Sequence, residues 1–318
     1  MRNVILELNG LSAGYGGEPA VADVSFALTR GEILCVVGES GCGKSTLLKA
    51  VMGFTPGLRI LAGRIVLAGE DLGKLPERAR RAKCAGQIGM VFQDPGSAFN
   101  PIRSYRRQFA ETLRSRGLYE SSAFEAQAAE ALGKLGLEEH RRILASCPYE
   151  MSGGMNQRIA LALTLLLGQE LLLADEPTSA LDATVQLQVA RELLRLRDED
   201  GVSQIVVTHN LALAEFLGDR IAVMYGGRLA ELGPARAVAA DPRHPYTRSL
   251  LAAVPSLAGR LPEPLPGQPP REAPFAAGCE FAARCPTASE ACRKAPYALR
   301  EVSPGHFTAC LRGKGGAA

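Results

Sequence analysis

The chain has 318 residues, and its 36 Lys and Arg against 33 Asp and Glu leave a formal charge of +3, too slight and too dispersed for a nucleic-acid footprint. That length allows two domains or one large domain with an appendage. The longest apolar stretch, Ile159–Leu167, includes a threonine and stops at Gly168, Gln169 and Glu170, far short of the about 20 residues a membrane span needs. Met1–Leu8 carries Glu7 and alternates like a strand, unlike the apolar core of a secretory signal, so the chain reads as cytosolic.

In chain order, short apolar runs at Ile33–Val37, Ile88–Phe92, Leu171–Ala174, Ile205–Val207 and Ile221–Met224 alternate with longer helical patterns. This is the signature of an α/β domain with buried strands, and it holds over residues 1–254. From Ile102 to Leu144 the sequence turns polar and Ala-rich at helical spacing, which predicts a helical subdomain over about residues 102–165. Seven prolines between Pro255 and Pro274 cannot continue a helix or a central strand and predict an extended linker over 255–274. Residues 275–318 then form a small cysteine-rich module with a Gly- and Ala-rich tail. Of the eight cysteines, Cys35, Cys42, Cys84 and Cys147 are scattered and read as small apolar core or loop residues, while Cys279, Cys285, Cys292 and Cys310 crowd the end.

The strongest chemical signal follows the first apolar run: Gly38-Glu39-Ser40-Gly41-Cys42-Gly43-Lys44-Ser45-Thr46, leading into the helical Leu47–Met52. Strand, glycine-rich loop and helix in that order make a phosphate cradle. The glycines let backbone N–H groups turn inward, and the helix N-terminus adds partial positive charge. Lys44 would reach the β and γ phosphates of a nucleotide, and the Ser45 hydroxyl would ligate Mg²⁺. A second acidic element comes from Leu171-Leu172-Leu173-Ala174-Asp175-Glu176. There a buried strand delivers Asp175 at its C-terminal end to hold the Mg²⁺ shell, with Glu176 next to it to polarise a water.

Together with Met151-Ser152-Gly153-Gly154-Met155, some 20 residues before Asp175, these elements resemble the nucleotide-binding subunit of an ABC transporter over nearly the whole chain. The resemblance implies a RecA-like α/β P-loop ATPase core with a helical subdomain, using ATP and Mg²⁺. It makes Gly38, Ser40, Gly41, Cys42, Gly43, Lys44, Ser45 and Thr46 the nucleotide loop and Tyr15 the aromatic that stacks on adenine. It also makes Glu176 the catalytic carboxylate and His209, closing Ile205-Val206-Val207-Thr208-His209, the switch histidine on the γ-phosphate. Gln93 matches the glutamine that touches Mg²⁺ and couples the nucleotide to the membrane partner. Ser152, Gly153 and Gly154 match the signature turn that acts in trans on the nucleotide of the opposite subunit. Ser179, Ala180, Leu181 and Asp182 match the loop that crosses the dimer interface. Two positions depart from the pattern: Met151 stands where leucine is commoner, a volume-conserving change, and Asn210 stands where aspartate is usual.

The segment Arg243-His244-Pro245-Tyr246-Thr247-Arg248-Ser249-Leu250-Leu251, with the cysteines behind it, is similar to the ATPases of oligopeptide, dipeptide and nickel importers. Four thiols in a short stretch with little apolar content predict a metal or a cross-link. The spacing lacks the close pairs of zinc sites, and disulfides are disfavoured in a cytosol, while four thiolates can hold an iron-sulfur cluster. Spacing does not choose between zinc and iron, and ordinary structural thiols are a third alternative; the resemblance implies a [4Fe-4S] cluster on Cys279, Cys285, Cys292 and Cys310. It further implies a motor at the cytoplasmic face of the membrane, paired with a paralogous ATPase subunit or with itself. Two permeases would sit above the pair, served by an extracytoplasmic solute-binding protein, with no nucleic acid involved. A soluble ABC ATPase acting on DNA, ribosomes or clusters shares the motifs, but commonly carries two cassettes or a long coiled coil, and neither is in this sequence. Behind its spacer, the cysteine module is expected to leave the chemistry at Lys44 and Glu176 untouched.

Overall fold

Ile33–Val37 has every side chain at 0 or 1% exposure, so it must be covered on both faces, the condition of a central parallel strand. A computed structural model describes residues 3–178, 183–253, 267 and 278–312. The chain divides into two compact units, residues 1–75 with 206–318, and residues 76–205. The first unit opens with strands β1 (Val4–Tyr15), β2 (Glu18–Thr29) and β3 (Ile33–Val37), helix α1 (Lys44–Met52), and strands β4 (Leu58–Leu67) and β5 (Glu70–Asp71). The second holds α2 (Glu77–Gln87), β6 (Ile88–Val91), α3 (Tyr105–Ser115), α4 (Phe124–Lys134), α5 (His140–Ala145), α6 (Gly153–Leu166), β7 (Leu171–Asp175) and α7 (Ala183–Asp198). The chain returns to the first unit within β8 (Ser203–Thr208). It continues through α8 (Leu211–Leu217), β9 (Arg220–Tyr225), β10 (Arg228–Pro234), α9 (Ala235–Ala240), α10 (Pro245–Ala252), α11 (Glu290–Lys294), β11 (Arg300–Ser303) and β12 (His306–Thr308).

In the first unit, β3 runs parallel to β9, pairing Leu34 with Arg220 through to Val37 with Val223. Beyond β9, the strands β10, β12 and β11 follow in antiparallel order. A separate antiparallel sheet runs in the order β2-β1-β4-β5; the sequence shows only the strand-like alternation up to Leu8, which is the start of β1. Its long strands carry bulges, with register shifts between Leu8 and Leu11 and between Ser12 and Ala13, and these break the strict alternation that reveals a half-buried strand. Helix α1 buries Leu47, Leu48 and Val51 and packs against this sheet, while α8 packs on β3.

In the second unit β6 and β7 are parallel neighbours, pairing Ile88 with Leu171 and Val91 with Ala174. The stretch predicted as helical, about residues 102–165, contains α3, α4, α5 and nearly all of α6, which packs on α4. Phe99, Tyr105 and Phe109 stack around one another in its core, Phe99 and Tyr105 edge to face with centroids 5.2 Å apart.

The cysteine segment is not a free-standing module, which corrects the expectation drawn from the prolines; most of the linker itself lies outside the described residues. Residues 278–312 belong to the first unit because they borrow its core. Strand β12 adds to β10, pairing Glu231 with Thr308 and Leu232 with Phe307. Phe281, 1% exposed, packs edge-on against Tyr225 at 5.2 Å and beside Tyr246 at 5.4 Å. Glu231, fully buried, accepts the N–H groups of Arg243 and His244 at 2.7 and 2.8 Å and pairs with His306 Nε2 at 2.7 Å. A buried carboxylate satisfied three ways ties the last strand to the hairpin. Phe281→Ala leaves a cavity under this segment and is expected to cost about 3 kcal/mol, read as a lowered denaturant midpoint; an unchanged midpoint would mean that the segment does not share the core.

Candidate functional site

Where β3 ends, the backbone needs conformations that side chains resist. Gly43 caps α1 at φ +99°, and a Cβ on Gly38 would lie 2.3 Å from the carbonyl oxygen of Met224, so only glycine fits either place. The β9–β10 turn braces the loop: Gly227 N–H donates to Cys42 O at 3.1 Å, and Ala22 N–H donates to Gly227 O at 2.9 Å. Lys44 is 6% exposed, and its ammonium donates to the carbonyls of Gly38 and Glu39, both at 2.8 Å. Cys42 Sγ lies 3.8 Å from the same ammonium. Burial pushes that thiol up, against the opposing pull of Lys44, so Cys42 is an inert wall of the loop. Ser40 and Gly41 lie on the exposed side of the loop, and Ser45 and Thr46 are half-buried in the first turn of α1.

Also in the first unit, Tyr15 ends β1 with 42% of its surface exposed, a ring free to offer a face. His209 follows β8 and is exposed. Asn210, where aspartate was expected, caps α8 by accepting Leu213 N–H at 3.1 Å. Asparagine serves as well as aspartate in that role, so the substitution preserves the cap while removing a charge.

In the second unit the parallel pairing of β6 and β7 delivers two of the expected site residues side by side. Gln93, just past β6, donates from Nε2 to Glu176 Oε2 at 3.4 Å. Glu176 sits at φ +47°, a left-handed backbone that a non-glycine residue adopts at a cost and that recurs at functional positions. Asp175, the last residue of β7, is 7% exposed. The serine-glycine-glycine turn starts α6: Ser152 is the N-cap, its hydroxyl accepting Met155 N–H at 3.3 Å. Behind it Asn156, 7% exposed, donates to the carbonyls of Pro148 at 3.1 Å and Met151 at 3.4 Å and bonds to the Tyr105 hydroxyl. Sequence reasoning missed Asn156, which stands with Gln157 and Arg158 in the polar start of a helix that is apolar further on. Ser179, Ala180, Leu181 and Asp182 lie outside the described residues.

Cys279, Cys285, Cys292 and Cys310 are free thiols that line one small concavity together with His244 and Phe281. Cys279 Sγ is 3.8 Å from His244 Nε2, and Ser289 Oγ is 3.3 Å from Cys292 Sγ. Burial raises the Cys279 thiol to about 11 and also raises Cys310, whereas the Ser289 hydroxyl lowers Cys292. Burial, with Arg248 nearby, lowers His244 to about 4, so that ring is neutral at pH 7. Among the described residues no three His, Cys, Asp or Glu side chains are drawn together as an ion site, so a metal centre at these cysteines does not follow from the side-chain geometry. No helix among the described residues is long and apolar enough to cross a membrane.

Residues 21–179 match the family model described as ABC transporter, and residues 230–292 match the model described as oligopeptide/dipeptide transporter, C-terminal region. The oligopeptide transport ATP-binding protein OppD of Salmonella typhimurium is 40% identical over 317 residues, 98% of this chain and 94% of that protein. The dipeptide transport ATP-binding protein DppD of Bacillus subtilis is 37% identical over 301 residues, 93% of this chain and 90% of that protein. Among solved structures, a dimeric ATP-binding cassette in a post-hydrolysis state with ADP and Pi is 27% identical, with a TM-score of 0.65 over 73% of this chain and 99% of that one. Another, from the cbiONQ ABC transporter complex of Clostridium perfringens, is 25% identical, with a TM-score of 0.66 over 75% of this chain and 92% of that one.

Proposed function

The chain belongs to the ABC transporter family, and on that premise we propose that it is the ATP-hydrolysing motor of an importer for oligopeptides or dipeptides. The observation that carries the peptide reading is the match of residues 230–292 to the oligopeptide/dipeptide C-terminal region, in a chain that aligns with OppD over nearly its full length. The motor works as a nucleotide-sandwich dimer, with a paralogous ATPase subunit or a second copy. It lies beneath two permeases at the cytoplasmic face of the membrane and is served indirectly by an extracytoplasmic solute-binding protein.

In this reading the backbone of Gly38, Ser40, Gly41, Cys42 and Gly43 cradles the phosphates, with Thr46 in the same helix turn and Tyr15 against the adenine. Lys44 exchanges its loop carbonyls for the β and γ phosphates. Ser45, Gln93 and Asp175 would hold Mg²⁺, which supplies charge neutralisation between the phosphates. The donor set of hydroxyl, amide and carboxylate oxygens suits that ion. Glu176 accepts a proton from the attacking water, and Gln93, already hydrogen-bonded to Glu176, links that carboxylate to the helices that meet the permeases. His209 binds the γ-phosphate, and Asp182 crosses the dimer interface. Ser152, Gly153 and Gly154 offer a helix N-terminus to the nucleotide held by the opposite subunit.

Four thiolates are the donor chemistry an iron-sulfur cluster takes, and on that chemistry and the family resemblance, not on the side-chain geometry, we propose that Cys279, Cys285, Cys292 and Cys310 would hold a [4Fe-4S] group. Protein purified without oxygen is expected to be brown and to carry about four irons per chain; colourless protein with one zinc per chain overturns that assignment. For the motor itself, Glu176→Gln is expected to keep ATP binding but lose at least ~100-fold in single-turnover hydrolysis at its own site. Near-normal hydrolysis there would remove Glu176 from the chemistry.

A further inference from the structure

Glu39, the second residue of the nucleotide loop, is gripped at four atoms. Its carbonyl accepts from Lys44, its N–H donates to the Tyr246 hydroxyl at 2.8 Å, and its carboxylate meets Arg284. That last contact is a two-pronged fork: Nη1 donates to Oε2 at 2.7 Å and Nη2 to Oε1 at 3.0 Å. The pair is largely desolvated, with side chains 6% and 20% exposed for Arg284 and Glu39. Arg284 also donates to the Tyr225 hydroxyl at 3.3 Å, and the Tyr225 ring packs edge to face on Tyr246 and Phe281. Nothing about the nucleotide motif announces this partner, which lies 245 residues away and immediately before Cys285.

We propose that Arg284 is a positioning residue for ATP binding: through the forked contact with Glu39, the cysteine segment holds the nucleotide loop in shape. Two physical effects act together. Paired forks of this kind fix geometry as well as charge, so Arg284 fixes the carbonyl on which Lys44 rests. A carboxylate left unpaired in a loop that receives a polyphosphate also repels it, and the guanidinium cancels that charge. A parallel link runs from Cys279 Sγ to His244 Nε2 at 3.8 Å, from His244 Nδ1 to the N–H of Tyr246 at 3.1 Å, and from the Tyr246 hydroxyl to Glu39. The cysteine segment is therefore mechanically continuous with the phosphate cradle, contrary to the expectation that it leaves the chemistry untouched. The inference rests on the reading of residues 38–46 as the ATP loop.

The test titrates the full-length chain with a fluorescent methylanthraniloyl-ATP in Mg²⁺ and measures kcat and KM in the assembled transporter. Arg284→Ala is expected to weaken the Kd about tenfold and raise KM, with kcat at saturating ATP within about twofold, because Arg284 touches no reacting atom. Arg284→Lys keeps the charge but loses the fork, and is expected to fold normally and weaken the Kd about threefold. Adding Glu39→Ala to Arg284→Ala should cost no further affinity, the mark of one shared contact. A Kd within twofold of the parent in folded Arg284→Lys and Arg284→Ala, or additive losses in the double variant, overturns the proposal. Lys44→Ala is run alongside: if the parent chain fails to bind the analogue, or Lys44→Ala binds it as well as the parent, the ATP reading of the loop has failed and not the clamp.

Discussion

Strand β3 has every side chain buried and stops at a position where a Cβ has no room, and the nucleotide loop of the first unit is built on that stop. Val37 is the last buried residue of β3, and Gly38 follows because the carbonyl of Met224 occupies the space of any side chain. From there the loop is closed by contacts distant in sequence, the β9–β10 turn on Cys42 and Tyr246 and Arg284 on Glu39, and by its own Lys44 folded onto the carbonyls of Gly38 and Glu39. A flexible glycine loop would lose much of its nucleotide affinity in being ordered. One held from outside is ordered in advance, and Tyr246 and Arg284 hold this loop at Glu39.

The second unit solves a similar problem with two neighbouring parallel strands. Because Val91 pairs with Ala174, the residues just beyond each strand emerge side by side, and Gln93 reaches Glu176 without any further scaffold. The left-handed backbone at Glu176 turns the carboxylate off the strand direction, a local cost of about 1–3 kcal/mol carried by the surrounding fold. Asn156 plays the corresponding part for the serine-glycine-glycine turn, tying the start of α6 to the carbonyls of Pro148 and Met151.

Legibility followed burial. The runs at Ile33–Val37, Leu171–Ala174 and Ile221–Met224 stood out in the sequence because they are covered on both faces and therefore uninterrupted, and they lie within strands. Of the sheet of β1, β2 and β4 only the start of β1 stood out, since bulges elsewhere shift the alternation that marks a one-sided strand. The glycines, Lys44, Asp175 and Glu176 stood out because they fall in short local motifs beside apolar runs. Arg284 was invisible because an ion pair between residues 39 and 284 leaves no local pattern. The His-Pro-Tyr-Thr segment was legible only as a mark of kinship; the structure gives it work, with His244 capping α10 and Tyr246 reaching the loop. The cysteine segment misled for a related reason. Its few apolar residues read as too little for a core, yet Phe281 and β12 complete a core that the rest of the unit supplies.

The central claim is that this chain is half of an ATP-driven engine whose sites are completed across a dimer. It is tested most directly by ATP turnover per chain, measured against chain concentration with Mg²⁺ and ATP in excess, alone and with the paralogous subunit added. The account predicts poor turnover in dilute isolated chain, rising as the dimer or the heterodimer forms. Fast turnover that stays constant per chain down to concentrations where the protein is a proven monomer would contradict it.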